Sequence, residues 1–340
     1  MPPKLILIVL TVAAVGGGGY YYVNYETTIH HAEDGSFDRV EITRRAAEPG
    51  DQTHSPATVD RSQQISEAGG ASIRIATFNF GGLDDVKLNN RLVVAVLVRV
   101  ISQFDLVAVQ DIRANNRGVL AKLLREMNAA GGSFDYAVCP STTSDPVGNY
   151  SAFIFKKASV EVDHNTVQSV NDPKNLFSHR PLVGSFRAKG PSKAEAFTFT
   201  LVNVHNEPET SEAEVNLLDD VYRALLEDGR KEDDVILLGD FGGDGIDLGE
   251  LTAVPGLAAS ITHTPTTTRG TRLADNVIFS RRATVEFTGL SGVVDIMRQC
   301  DLTIQEAMAV SDHVPVWAEF SRYEGGQPGY VAEKPGRTSR

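Results

Sequence analysis

Apolar runs that stop abruptly at a polar residue alternate along this chain with longer segments whose apolar positions recur every three or four residues. The runs are rich in β-branched and aromatic residues and are short, which suits strands. They predict strands at 73–79, 106–110, 152–156, 182–187, 197–204, 235–239, 276–279 and 314–320. Helical spacing runs through 87–102, where Leu88, Leu92, Val96 and Val100 repeat and Val93 and Leu97 widen the stripe. Two more helices are expected at 117–128 and 211–228, the second opened by Ser211 and Glu214 in the spacing of a capping box. Strands outnumber helices and interleave with them. That order predicts an α/β fold with two packed sheets and outer helices.

The flanks of this domain read differently. Residues 5–23, LILIVLTVAAVGGGGYYYV, carry no charge and follow Lys4. The run fits a signal-peptide core or a signal anchor near the minimum bilayer span of roughly 17–25 residues, and it directs the rest of the chain out of the cytoplasm. Three tyrosines at its end suit a membrane interface. Residues 24–71 are polar and lack lasting periodicity, which predicts a linker with one short strand at 37–42. His30 and His31 sit in that linker, where adjacent side chains diverge and no third ligand is near. The segment 323–340 has the composition of a disordered tail. The organisation expected is therefore a leader at 1–23, a linker at 24–71, one domain at 72–322 and a tail.

With 340 residues, 41% hydrophobic and 22% charged, the chain can bury a sizeable core and is neither fibrous nor wholly disordered. The net charge of −12 gives no general attraction to a polyanion, so any nucleic acid must be held at a local site by cations and a few arginines. Two cysteines, Cys139 and Cys300, are too few for a disulfide scaffold; a single bridge and two buried thiols are both compatible with their spacing.

The candidate chemistry lies where the strands end. One predicted strand stops at Asn79, and others meet Asp111, His205 and Asp240; Asp275 opens one strand and Asp312-His313 another. A polar residue at a strand end is usually a solvated turn. Six such ends, all Asn, Asp or His, gather a charged group if the strands pack in register. Clustered carboxylates need a cation, and oxygen ligands favour Mg²⁺, Mn²⁺ or Ca²⁺. A histidine beside such an ion can move protons near neutral pH. Phosphate-ester hydrolysis fits that combination. There is no G-x-S-x-G elbow and no G-x-x-x-x-G-K-[ST] loop. The stretch 264–271 (TPTTTRGT), with Arg269 and Arg272, is open to two readings, a substrate contact and a surface loop.

In order along the chain, ATFN (76–79), DLVAVQDIR (105–113), NVHNEP (203–208), VILLGDF (235–241), ADNVIF (274–279) and SDHVPV (311–316) resemble the endonuclease/exonuclease/phosphatase superfamily, and most of all its deoxyribonuclease I branch. The resemblance spans about 73–320. It implies a four-layer α/β/β/α sandwich with the active site where the sheet ends meet. It also implies roles: Asn79, Asp111 and Asp312 as metal ligands with Mg²⁺ as cofactor; His205 and His313 as the catalytic pair; Asp275 orienting His313; Asp240 orienting phosphate or water. Arg113, Arg180 and Asn149 are the implied contacts to substrate, which is DNA. Three positions depart from the family pattern. Asp111 stands where glutamate is usual, Gly242 follows Asp240-Phe241 where asparagine is usual, and Asn149 stands where a carboxylate orients the histidine at 205. The same scaffold would also serve a phosphomonoesterase, a lipid phosphodiesterase or a non-catalytic binding module.

Overall fold

The computed structural model describes residues 25–31, 37–44, 71–113, 118–139, 148–243 and 248–328. Within the unit Met1–Arg61, strands β1 (Tyr25–His31) and β2 (Phe37–Arg44) pair antiparallel. The expected strand at 37–42 is β2; its partner β1 falls within the segment expected to be linker. The apolar run 5–23 lies outside the described residues. Among those described, no helix is long and apolar enough to cross a membrane.

The second unit, Ser62–Arg340, holds two six-stranded sheets. Its elements are β3 (Ser72–Leu83), α1 (Asp85–Leu88), α2 (Arg91–Ile101), β4 (Leu106–Arg113), α3 (Gly118–Ala129), β5 (Phe134–Ala137), β6 (Asn149–Lys156), β7 (Val160–Ser169), β8 (Leu182–Ala188), β9 (Thr198–His205), α4 (Ser211–Leu226), β10 (Val235–Asp240), β11 (Leu257–Ala259), β12 (Asp275–Ser280), β13 (Phe287–Val293), α5 (Ile296–Cys300), α6 (Ile304–Val310) and β14 (Val316–Ser321). One sheet runs β13-β14-β3-β4-β6-β5 and the other β11-β12-β10-β9-β8-β7.

Strand periodicity sorts the core into layers. Ile73 and Ile75 of β3, Leu106 and Ala108 of β4, Phe199 and Leu201 of β9, Ile236 and Leu238 of β10 and Val277 and Phe279 of β12 fill the space between the sheets. Their neighbours of opposite parity face outward. Phe78, Val107 and Val109 pack with α2 and α3 through Val93, Leu97, Leu120 and Leu123. Val202, Val204, Val235 and Leu237 pack with α4 through Val215, Leu218 and Tyr222. The result is the expected α/β/β/α order.

Several local expectations are revised. The helix expected at 87–102 breaks at Asn89-Asn90, because the Asn90 side chain caps α2 by accepting from the Leu92 amide at 3.0 Å. The capping box expected at Ser211 and Glu214 does not form. Glu214 is buried and instead accepts from the hydroxyls of Thr210 and Ser178, at 2.6 Å each. A capping box does open α6, between Thr303 and Glu306. The fold continues past Arg322: Tyr323 bridges to Ala196, and the Glu324 amide donates to the Glu195 carbonyl at 2.9 Å. Cys300 is a free thiol packed on the α2–α3 side, and Cys139 packs on the inter-sheet core.

Candidate active site

The parity that buries Ile73 and Ile75 between the sheets carries on to Asn79. The same holds for Phe199, Leu201 and His205, for Ile236, Leu238 and Asp240, and for Phe279, Val277 and Asp275. The polar strand ends are thus in phase with the apolar core and converge at one end of the sandwich. β9 and β10 run parallel with Asp240 beside His205, and β12 runs antiparallel with Asp275 beside Asp240. A layer of amides separates them from the apolar interior. Gln110 Nε2 donates to Asn203 Oδ1 at 2.7 Å and Thr77 Oγ1 at 2.9 Å, and Asn203 Nδ2 donates to the Ala152 carbonyl at 3.0 Å.

Asp111 breaks the alternation. Strict period two would send it outward with Val107 and Val109. The β4–β6 register shifts between Val109 and Ile112, and Asp111 adopts φ +54°. This bulge turns the carboxylate into the cavity. There Arg113 grips it with two bonds, of 2.8 and 2.9 Å, and Asn149 Nδ2 donates to it at 2.9 Å.

A cavity of about 420 Å³ opens over these ends, lined among others by Asn79, Asp111, Arg113, His205, Asp240, Asp312 and His313. Asn79 Nδ2 donates to Asp240 Oδ2 at 2.8 Å, and Asp240 Oδ1 accepts from the Gly242 amide at 2.9 Å. Gly242 has φ +72°, and a Cβ there would lie 2.8 Å from the Asn206 carbonyl oxygen, so this position needs a residue that tolerates left-handed backbone. His313 Nδ1 lies 2.7 Å from Asp275 Oδ2, and its Nε2 lies 3.5 Å from Asp240 Oδ2. Asp275 is wholly buried, held through its amide by Thr266 Oγ1 at 2.9 Å.

Electrostatics set the two histidines apart. Burial, then the neighbouring His179, pushes His205 down to about 4. Burial also opposes charge on His313, but Asp275, with Asp240 and Asp312, outweighs it and raises that imidazole to about 10. Asp240 is itself pushed up, by burial and then by Asp275. Burial takes Lys87 down to about 8 despite Asp111, Asp312 and Asp84; its ammonium donates to the Phe80 and Gly81 carbonyls, at 2.5 and 2.9 Å.

Two expected residues lie elsewhere. Arg180 donates to Asn175 Oδ1 at 2.7 Å and is not among the residues lining the cavity. Asn149 does not orient His205. It bonds Asp111, and its Oδ1 is buried without a hydrogen-bond partner. His205 instead stacks on His179, with ring centroids 4.3 Å apart and planes 7° apart, and His179 Nε2 lies 2.9 Å from Glu207 Oε1. The sequence pattern does not single out His179 and Lys87, whereas Arg272, one of the two arginines expected beside 264–271, lines the cavity. His179 sits one position before Arg180, a residue the family resemblance singles out, so it was within reach. Residues 264–271 are not a loose loop in their central part. Thr266, Thr267 and Thr268 are buried; Thr268 Oγ1 donates to the Ser311 carbonyl at 2.7 Å, and Thr267 bridges to His313.

Asp111, Asp312 and the Asn79 side-chain carbonyl line the same cavity and give an oxygen-only donor set, which fits a hard divalent cation. Asp240, Asp275 and His313 form a second group whose ligand atoms lie within 4.8 Å of one another.

No family model matches the chain. Deoxyribonuclease-1-like 1 of Sus scrofa is 31% identical over 271 residues, covering 75% of this chain and 83% of the relative. Deoxyribonuclease-1 of Gallus gallus is 26% identical, covering 72% and 91%. Among solved structures, humanized TDP2 of D. rerio aligns with a TM-score of 0.51 and 14% identity, over 74% of this chain and all of that one. Truncated TDP2 of Caenorhabditis elegans aligns at 0.50 and 15%, over 74% and 98%.

Proposed function

The chain belongs to the endonuclease/exonuclease/phosphatase superfamily, in its deoxyribonuclease I-like branch, and from that membership we propose that it is a divalent-metal-dependent phosphodiesterase hydrolysing DNA. The observation that carries the reading is the convergence of Asn79, Asp111, His205, Asp240, Asp312 and His313 on one polar cavity, with Asp275 behind His313. Asn79, Asp111 and Asp312 would hold Mg²⁺ or Mn²⁺, which when bound neutralises phosphate charge and polarises the ester.

The chain's own groups divide the proton work. His205, neutral at physiological pH, accepts the proton of the attacking water. His313 gives Nδ1–H to Asp275 and presents a protonated Nε2 to the cavity, where it donates to the leaving oxygen as the P–O bond breaks. Asp240 faces that Nε2 and holds the imidazole toward the phosphate. Arg113 and Arg272 line the same cavity and supply the local positive charge that an acidic protein needs to hold a phosphodiester. Arg113 is also the cation that balances Asp111. The uncharged run 5–23 supports a site of action outside the cytoplasm.

The test is a substrate panel assayed with Mg²⁺ or Mn²⁺: plasmid DNA, inositol phosphates and sphingomyelin. DNA cleavage with the others spared is the expected result. Turnover of a monoester or lipid with DNA spared would reassign the substrate, and no turnover of any would reject the catalytic reading.

A further inference from the structure

The two histidines of the cavity are supported in different ways. His313 is tied to Asp275 across 2.7 Å. Among the described residues, no hydrogen bond holds the His205 imidazole, and Asn149, expected behind it, bonds Asp111 instead. The last torsion of a histidine side chain has broad wells, so a ring without a bond turns unless something blocks its faces. A proton acceptor that turns spends much of its time out of line with the attacking water.

One face of His205 is blocked. His179 lies flat against it, with centroids 4.3 Å apart and planes within 7°. His179 Nε2 is in turn 2.9 Å from Glu207 Oε1, and Glu207 stands two residues beyond His205 on the same segment. The support therefore closes on itself: ring, stacked ring, carboxylate, and back to the chain that carries the first ring. Both backbones are braced. On the His179 side, the Phe177 amide donates to Asp172 Oδ2 at 2.9 Å, and the Ser178 amide and hydroxyl donate to Glu214 Oε1 at 3.0 and 2.6 Å. On the other side, the Asn206 amide donates to the Asp240 carbonyl at 2.9 Å and the Thr210 amide to the Glu207 carbonyl at 3.2 Å. Glu207 lines the catalytic cavity and His179 is not among the residues lining it, so His179 can reach the chemistry only through His205.

We propose that His179, held by Glu207, is a positioning residue that fixes the ring plane of His205 and so does the work of the orienting carboxylate that Asn149 does not supply. The inference rests on the reading of this cavity as a phosphodiesterase site with His205 as proton acceptor. A flat neighbour restrains the plane without adding a negative charge, which suits a group that must start the reaction neutral. After burial, His179 is the largest influence opposing charge on His205.

The test measures plasmid nicking with Mn²⁺ against DNA concentration, which separates kcat from KM. His205→Ala should lose activity whether or not this inference holds, so it checks the underlying reading alone. His179→Ala should lower kcat by about tenfold to a hundredfold with KM little changed. His179→Phe, which restores a flat ring but not the bond to Glu207, should recover most of that loss. Glu207→Ala should lower kcat, and Glu207→Gln, which keeps an acceptor oxygen, should not. NMR of the metal-free protein reads the ring itself: His205 should contact one set of neighbours in the wild type and in His179→Phe, and an averaged set in His179→Ala. A folded His179→Ala with wild-type kcat or unchanged His205 ring contacts would overturn the proposal. So would a raised KM at constant kcat, which would make His179 a substrate contact, or a loss that His179→Phe does not recover. A wild type that cleaves nothing would reject the reading of the cavity, and this inference with it.

Discussion

Asp275→Asn probes the pair on which the proton donor depends. Asp275 is wholly buried, accepts from His313 Nδ1 across 2.7 Å, and leaves its other oxygen, Oδ1, without a partner. The substitution conserves shape and removes only charge. Raising His313 from 6.5 to about 10 corresponds to about 5 kcal/mol of stability below pH 6.5 and about 4 kcal/mol at pH 7, shared among Asp275, Asp240 and Asp312. The folded-state value lies above the unfolded one, so this stability is complete below 6.5 and is lost as pH rises toward 10. Removing the nearest carboxylate should cost about 3 kcal/mol, the usual price of breaking a buried pair. Turnover at neutral pH should fall about 10²–10⁴-fold, since orientation and charge of the donor are lost together. Two assays separate the effects. NMR of the His313 ring should show it protonated past pH 9 in the wild type and titrating between pH 6 and 8 in the variant. Plasmid nicking should show its alkaline limb moving down by a similar interval. A wild-type His313 that titrates near 6.5, or a variant with unchanged turnover and pH profile, would refute the assigned role.

Other outcomes rest on the same geometry. His205 lies at about 4 folded against 6.5 unfolded, so the unfolded chain binds more protons between those values and stability falls as pH drops through that window, by about 3 kcal/mol in all; His205→Gln should flatten the fall in chemical-denaturation curves. Thr266→Val removes the hydroxyl oxygen that accepts from the Ala274 and Asp275 amides, both at 2.9 Å, and should cost about 3 kcal/mol by thermal unfolding, with Thr266→Ser largely restoring it. Gly239→Ala would place a Cβ 1.9 Å from the Val204 carbonyl oxygen, forcing β9 and β10 apart, and should cost more than about 4 kcal/mol, read as loss of soluble folded protein.

Much of the site was legible because its residues obey the same period as the core. Reading outward from Ile75 to Asn79, or from Leu238 to Asp240, needs only strand alternation and a common sheet end. Asp111 was legible as a polar residue at a strand end and in the motif resemblance; alternation would have turned it away, and only the bulge at positive φ brings it in. His179 and Lys87 escape a reading by strand periodicity because nothing in local spacing tells which side chain outside the strands stacks on His205 or bonds the Phe80 and Gly81 carbonyls. The helix break at Asn89-Asn90 was overlooked although two cap-forming residues interrupt the apolar stripe there, and so was the Thr303–Glu306 capping box. Edge strands such as β5, β7 and β13 carry too many polar positions to stand out by periodicity.

The central claim is that one cavity at the sheet ends cuts phosphodiester bonds with His205, His313 and the carboxylates around them. Nicking of supercoiled plasmid with Mn²⁺ or Mg²⁺, by the wild type and by folded His313→Ala, tests it most directly. The account predicts metal-dependent nicking that EDTA stops and that His313→Ala reduces by at least about a thousandfold. Equal cleavage by the variant, or none by the wild type with any divalent metal, would contradict it.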